Sequence, residues 1–257
     1  MRRWIVAPLL GMAVAIAAWR RGALSRSGAL GAAVVGTAIF GAGGPRGSTL
    51  LLLFFGSSTA LSRLSDDRDG GTREGPRRTL TQVLANGGLA AALSLWGLPC
   101  PSPRLRAAYA GALAAANADT WATEIGALST ATPRLITTGR PARRGVSGAV
   151  TPLGTLASLA GAAVIGAAHA AFERRATAAV RLGAAGFAGS LADSVLGATV
   201  QAVYTCRSCG KRTEDRAHSH DGGLPSLALV HGLPLVTNDT VNLCASLVGA
   251  ALGAWLC

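Results

Sequence analysis

Long apolar runs alternate with short arginine-rich segments along the whole 257-residue chain. A run of about 20 apolar residues is long enough to cross the ~30 Å hydrocarbon core of a bilayer as a helix. Apolar residues make up 50% of the chain and charged residues only 14%, whereas a soluble domain carries roughly 25% charge. The pattern therefore predicts a membrane protein and argues against a soluble enzyme, a β-sandwich or a disordered chain.

The apolar runs predict an all-α bundle of about eight transmembrane helices, and at least seven, folded as a single domain over residues 1–257. Glycine is abundant and aromatic residues are scarce, which suits membrane helices that pack closely. The turn motif at 43–47 separates the second predicted span from the third. The apolar segment 224–236 contains two prolines and is predicted to be re-entrant. The predicted spans are 4–19, 27–43, 48–61, 81–98, 105–128, 148–172, 178–204 and 237–256.

The distribution of basic residues predicts the orientation. Sixteen of the 24 lysines and arginines fall in the loops 20–26, 62–81, 129–147 and 205–223, and cytoplasmic loops carry such an excess. We therefore expect a multi-pass protein of the cell membrane with the long loops 62–81, 129–147 and 205–223 in the cytoplasm. The net charge of +12 can indicate nucleic-acid binding, but arginines clustered between apolar runs point to membrane lipids and anionic ligands.

Eight acidic or amide side chains lie in or at the edge of the predicted spans. An acidic side chain at the centre of a transmembrane helix costs about 2.5–3.5 kcal/mol on insertion scales, so such residues are functional candidates. Interhelical hydrogen bonding is the structural alternative, and it fits an isolated hydroxyl such as Ser190 best. The eight residues are Asn86, Asn117, Asp119, Glu124, Asp193, Asn238, Asp239 and Asn242.

Their spacing groups them into three constellations, 117–124, 189–194 and 237–242, which lean toward the predicted cytoplasmic half. Residues three or four apart share a helix face. Carboxylates and amides near one membrane face favour a hard cation, most simply Mg²⁺. We predict Asp119, Asp193 and Asp239 as magnesium ligands and Glu124 as a further ligand or a water-positioning group. The side chains predicted to orient phosphate or metal-bound water are Asn86, Asn117, Ser190, Asn238 and Asn242.

The loops supply the opposite charge. Guanidinium groups, glycines and hydroxyls next to helix starts are suited to binding phosphate, and Arg78, Arg140 and Arg144 are the candidate clamps. The alternative is that these arginines serve only the orientation of the chain in the membrane.

The loop 205–223 contains a further candidate site. Cys206 and Cys209 are followed by His218 and His220, and two thiolates with two imidazoles can form a tetrahedral zinc site. Such a zinc ion would be structural, because the loop has no core of its own. A redox pair and a loop without a site are the alternatives.

The ordered set of motifs resembles a known family. Asn117-Ala-Asp-Thr-Trp-Ala-Thr-Glu124, Gly189-Ser-Leu-Ala-Asp-Ser194 and Thr237-Asn-Asp-Thr-Val-Asn242 resemble the integral-membrane family labelled domain of unknown function 92, which includes transmembrane protein 19 and a plant phytyl-phosphate kinase. The segments 82–88, 138–140 and 145–148 also match. Relatives tend to have a cysteine where this chain has His220.

The resemblance implies the phosphorylation of a phytyl or polyprenyl monophosphate to the diphosphate. A nucleoside triphosphate, with CTP as one candidate, would be the phosphoryl donor, and Mg²⁺ the cofactor. The rival hypothesis from another class is a secondary transporter or lipid flippase, since intramembrane carboxylates and glycine-broken helices fit that class too. A non-catalytic scaffold would not explain four acids in the spans.

Overall fold

The computed structural model describes residues 2–68, 77–214, 216, 218 and 226–257, which are mostly helical. A π-helical turn at Ile39–Gly43 joins α2 to α3 without a break, so the described residues form seven continuous helical segments. The helices are α1 (Arg2–Arg20), α2 (Arg26–Ala38), α3 (Gly44–Arg68), α4 (Leu80–Trp96), α5 (Pro103–Ala127), α6 (Pro152–Glu173), α7 (Ala176–Thr199) and α8 (Asn238–Leu256). The strands are β1 (Arg134–Leu135), β2 (Ala149–Val150), β3 (Val203–Cys206), β4 (Arg212–Thr213) and β5 (Leu227–His231).

Five helices begin at a hydroxyl side chain that accepts a hydrogen bond from the backbone N–H three residues further on. This arrangement satisfies one of the N–H groups that the first turn leaves unpaired. At Thr79 the Gln82 side chain also reaches back to the backbone N–H, which completes a capping box. The five capping residues are Ser25, Thr79, Ser102, Thr151 and Thr237.

Four helical segments are long and apolar enough to cross a membrane: Arg3–Arg20, Arg26–Leu64, Pro152–Glu173 and Asn238–Leu256. The 17-residue α4 is shorter, and α5 and α7 carry charged residues within the helix. The membrane character is therefore supported directly, while the number of about eight spans stays a prediction.

The segment Arg26–Leu64 cannot be one straight rod. At 1.5 Å per residue, its 39 residues would span about 58 Å. However, Arg63 donates a hydrogen bond to the carbonyl of Arg21, which lies five residues before α2 begins. The chain therefore reverses direction within this segment. Gly44 has φ +58°, a conformation that side chains rarely adopt, and it lies within the turn motif 43–47 predicted from the sequence.

The helices run alternately between two ends of the bundle. One end, called here the site end, contains the end of α1 and the beginning of α8, because Arg21 and Asn238 line one cavity with Glu124. The described parts of the three long loops also lie at the site end. At the opposite end Glu173 forms ion pairs with Arg46 and Arg106, both at 2.9 Å.

Two sequence predictions about boundaries are wrong. The seventh helix ends at Thr199 and not at 204, because the β-branched and aromatic residues that follow form β3. The segment 224–236 is not a re-entrant helix: β5 pairs antiparallel with β3, which also pairs with β4. The loop after α7 is thus built around a small sheet.

The core is organised around α5, whose residues 107–118 are all buried. Small residues let the neighbouring backbones approach it closely. A Cβ added at Gly111 would lie 2.1 Å from the carbonyl oxygen of Gly249 on α8, and one at Gly189 on α7 would lie 2.5 Å from the Cβ of Ala115. Close approach without side chains between the helices therefore fixes the register of α5 against α7 and α8.

We predict that Gly111→Ala destabilises the bundle by about 1–3 kcal/mol, because the new methyl group can be accommodated only by moving α5 away from α8. The measurement is the free energy of unfolding of the purified protein in detergent. The matched control is Gly56→Ala in α3, where an added Cβ meets nothing within 4 Å. Equal stability of the two variants would contradict the packing described here.

Candidate functional site

A polar cavity of about 380 Å³ opens at the site end between the ends of α1, α3 and α5 and the beginnings of α4 and α8. This volume lies within the range of small-ligand sites, about 300–1,000 Å³. Of the residues predicted from the sequence, the cavity contains Arg78, Asn86, Asp119, Glu124, Asn238 and Asn242. The remaining lining residues are Arg21, Gly22, Ala23, Thr59, Ser62, Arg63, Gln82, Thr120 and Thr123.

The last turns of α5 supply the acidic wall of the cavity. Asp119, Thr120, Thr123 and Glu124 all line it. The Ser62 hydroxyl on α3 donates a hydrogen bond of 2.5 Å to the Glu124 carboxylate. Within the described residues, no arginine forms an ion pair with Asp119 or Glu124, unlike Glu173 at the opposite end. The acidic wall therefore carries charge that the described side chains leave without a close cationic partner.

Arg78 supplies positive charge on the facing wall. Its backbone is held by the loop between α1 and α2: its N–H donates to Ala23 and its carbonyl accepts from Ser25. Burial lowers the pKa of the Arg78 guanidinium, and the negative charge of Glu124 acts in the opposite direction. Gln82 and Asn86 follow one and two turns further along the same side of the chain and line the same cavity.

Asp193 on α7 lies beside this acidic wall. Asp193 is outside the cavity lining, but the charges of Asp119 and Glu214 both act on its carboxylate. One Asp193 oxygen, Oδ2, is buried and has no hydrogen-bond partner among the described residues. A buried oxygen without a partner costs free energy, which a bound cation or water would offset.

Four predicted site residues have other roles or positions. Asn117 joins three helices: its amide nitrogen donates to the Gly161 carbonyl at 2.8 Å, and its oxygen accepts from Ser57 at 3.1 Å. Ser190 accepts a hydrogen bond from Ser158 on α6. Arg144 donates to the carbonyls of Ala127 and Ser129 and so caps the end of α5. Arg140 is exposed outside the cavity.

Asp239 also lies outside the cavity lining, although its neighbours Asn238 and Asn242 belong to it. Among the described residues, the carboxylates of Asp119, Asp193 and Asp239 do not converge within 4.8 Å as a group of three. The three aspartates therefore do not form one compact ligand group in this arrangement, and their role as magnesium ligands stays a prediction. The acids that do lie close together are Asp119 and Asp193.

A narrower apolar cavity between α1, α2, α3 and α4 adjoins the polar one. Its walls include Val14, Val35, Leu51, Phe54 and Val83. It shares four lining residues with the polar cavity: Arg78, Gln82, Asn86 and Thr120. The apolar cavity, of about 80 Å³, therefore adjoins the cationic wall of the site. Sequence reasoning missed this cavity, because apolar residues in a membrane helix give no signal of which neighbour they face.

Sequence reasoning also missed a polar cluster at the end of α7. The Glu214 carboxylate accepts from Ser147 at 2.6 Å and from Gln201 at 2.7 Å, and Gln201 is only 1% exposed. The available signal was Gln201 itself, a glutamine inside the predicted span 178–204. A buried amide needs hydrogen-bond partners. The cluster ties the loop before α6 to the sheet after α7.

Three of the four residues predicted to bind zinc lie close together. Ligand atoms of Cys206, Cys209 and His218 lie within 4.8 Å of one another, and Cys209 Sγ is 3.6 Å from His218 Nε2. The backbone N–H of Cys209 points at the sulfur of Cys206 and lowers the pKa of that thiol. The predicted fourth ligand, His220, lies outside the described residues.

Comparison with known proteins agrees with the resemblance seen in the motifs. The profile of a family described as "Integral membrane protein DUF92" matches residues 9–250. The chain is 31% identical over 280 residues to Protein PGR of Arabidopsis thaliana, which covers 97% of this chain and 94% of that protein. It is 30% identical over 234 residues to an uncharacterized membrane protein of Methanocaldococcus jannaschii, which covers 90% of this chain and 84% of that protein. No solved structure matches.

We predict that Asn117→Ala destabilises the protein by about 1–3 kcal/mol, because the Gly161 carbonyl and the Ser57 hydroxyl lose a buried partner. Unfolding in detergent measures the loss. Asn86→Ala is the control, since the Asn86 amide nitrogen bonds only to the Gln82 carbonyl of its own helix. Similar losses in both variants would show that Asn117 has no special role in packing.

Proposed function

The chain belongs to the DUF92 integral membrane protein family, and from that premise we propose that it is a membrane-embedded kinase for an isoprenoid monophosphate. The observation that carries the proposal is that the two cavities adjoin and share four lining residues. A phytyl or polyprenyl phosphate has an apolar tail and an anionic head, and this site pairs an apolar cavity with a polar one. Arg78, at their junction, would bind the phosphate of the lipid.

The second substrate in the proposal is a nucleoside triphosphate, with CTP as one candidate, bound at the open side of the polar cavity. In the reaction an oxygen of the lipid phosphate forms a bond to the γ-phosphorus. The bond from that phosphorus to the β–γ bridging oxygen breaks, and the nucleoside diphosphate leaves. A phosphate monoester is already an anion, so the acceptor needs no general base. Phosphoryl transfer then depends mainly on positioning and charge neutralisation.

The acidic wall fits a magnesium ion. Mg²⁺ in nucleotide sites is usually held by one or two carboxylates together with phosphate oxygens and water. Asp119 and Asp193 would hold it, with Glu124 as a further ligand or as a group that orients water. When bound, Mg²⁺ neutralises charge on the transferred phosphoryl group. Asn238 and Asn242 line the cavity and would orient phosphate or water. Arg21 and Arg63, rather than Arg140 and Arg144, are placed to add positive charge.

The position of the cavity favours the kinase over a transporter or flippase. Transporter sites lie near the bilayer midplane between repeated halves. Here the lining residues come from helix ends at the site end, where a soluble nucleotide has access. In the proposal α4, α5 and α7 also cross the bilayer, which gives eight spans in the cell membrane with the site end in the cytoplasm.

The decisive experiment gives purified protein in detergent radiolabelled CTP or ATP, Mg²⁺, and phytyl or geranylgeranyl monophosphate. The expected result is a labelled isoprenoid diphosphate. If neither nucleotide yields this product while a plant relative makes it under the same conditions, the kinase proposal is wrong.

We predict that Arg78→Ala and Asp119→Asn each lower kcat/KM by about 10²–10³, because each removes a preorganised charge from the lining of the cavity proposed for phosphoryl transfer. Initial rates of diphosphate formation measure the effect. Arg140→Ala and Asp239→Asn are matched controls, since both residues lie outside the cavity lining. Equal losses in controls and test variants would contradict the placement of the site, provided that all four proteins unfold at similar temperatures.

We predict that Ala32→Trp raises the KM for the lipid phosphate about tenfold and leaves the KM for the nucleotide unchanged. Ala32 lines the apolar cavity, and an indole there would occupy the volume assigned to the tail. Leu30→Trp on the same helix is the control, because Leu30 is 69% exposed on the outer surface of the bundle. If both variants bind the lipid as well as the parent protein, the tail lies elsewhere.

A further inference from the structure

We propose that Cys206, Cys209 and His218 bind a structural zinc ion that holds the loop after α7 folded and thereby keeps Glu214 against the end of α7. The proposal is independent of the kinase function, since it concerns a site outside both cavities.

The distances between the three residues suit zinc. With Zn–S at about 2.3 Å and Zn–N at about 2.0–2.1 Å, a sulfur and a nitrogen at a tetrahedral angle lie about 3.6 Å apart. Cys209 Sγ and His218 Nε2 are 3.6 Å apart, and Cys206 Sγ lies within 4.8 Å of both ligand atoms. Three protein ligands of this chemistry leave one tetrahedral position for a further residue or water.

The backbone around the cysteines has the form of a hairpin with a sulfur-binding turn. Cys206 ends β3, its N–H donates to the Lys211 carbonyl, and its carbonyl accepts from Gly210, which has φ +70°. These backbone hydrogen bonds close the turn that brings Cys209 back toward Cys206, whose ligand atoms lie within 4.8 Å of each other.

The hairpin has little else to hold it together. β4 contains only two residues, and the turn residues Arg207, Lys211 and Arg212 are exposed and carry like charges. Within the described part of this loop, Cys206 is the one side chain of the hairpin that is fully buried. A segment without an apolar core needs another source of stability, and the free energy of zinc binding supplies it.

The hairpin positions a buried polar contact. Glu214 follows β4 directly and lies between the second cysteine and His218 in the chain. Its carboxylate accepts hydrogen bonds from Ser147 and Gln201, and its charge acts on Asp193. Unfolding of the hairpin would withdraw Glu214, so that the buried Gln201 amide would lose its carboxylate acceptor and keep only Ser147. The metal therefore acts on the bundle through this contact.

Metal analysis tests the zinc site. The wild-type protein, purified without chelator, should contain one equivalent of zinc, and Cys206→Ser and His218→Ala should contain none. Cys100→Ser is the control, because Cys100 is an exposed free cysteine in a different loop. Titration of the metal-free wild type with Co²⁺ requires no variant and should produce a thiolate-to-cobalt charge-transfer band. Zinc content that is the same in Cys206→Ser and the wild type, or a titration without that band, overturns the proposal.

Limited trypsin digestion tests the structural role. Removal of zinc should speed cleavage at Arg207, Lys211 and Arg212 by at least about tenfold, because loss of the metal lets the hairpin open, and added zinc should restore protection. Glu214→Gln should keep its zinc but be cleaved faster than wild type. Cleavage that is insensitive to zinc would refute the structural role, and unchanged cleavage in Glu214→Gln would refute the link to α7.

Discussion

The close approach of α5 to α7 determines where the acidic residues of this protein meet. Gly189 on α7 lies directly against Ala115 on α5, with no side chain on α7 to separate the two backbones. Both helices run toward the site end, so the residue four positions further along each lies on the same face. Those residues are Asp193 and Asp119, whose charges interact. A glycine in the packing interface one turn earlier thus brings two carboxylates together in a protein with few of them.

The two ends of the bundle treat their carboxylates differently. At the opposite end Glu173 forms ion pairs with Arg46 and Arg106, so its negative charge has close cationic partners. At the site end Glu124 has a serine hydroxyl as its close partner, and the part of the chain described here gives Asp119 and Asp193 no ion pair. Acids in an apolar bundle need a balancing charge. The difference therefore favours the binding of a cation at the site end, either alone or together with a phosphate.

The sequence predicted most of the helices, the loops that share one end and six of the fifteen residues that line the cavity, because hydropathy and hydroxyl caps act locally. It could not separate Asn117 and Ser190 from the cavity residues, since helical spacing shows which residues share a face but not which helix that face meets. Asp239 shows the same limit: it lies between Asn238 and Asn242 in the chain and still falls outside the cavity lining. The strand β5 was missed because a short apolar run bounded by prolines does not distinguish strand from helix.

Together, the two cavities restrict the class of ligand that fits the site more than either cavity does alone. A free phosphate or nucleotide would need only the polar cavity, and a neutral lipid only the apolar one. Arg78 lines both, and its position is fixed by backbone hydrogen bonds to the loop between α1 and α2 rather than by a side-chain ion pair. A cation beside an apolar cavity favours ligands that carry an anion next to a hydrocarbon group. This preference is the physical reason why the function proposed above takes an isoprenoid phosphate, and not a soluble phosphate ester, as the acceptor.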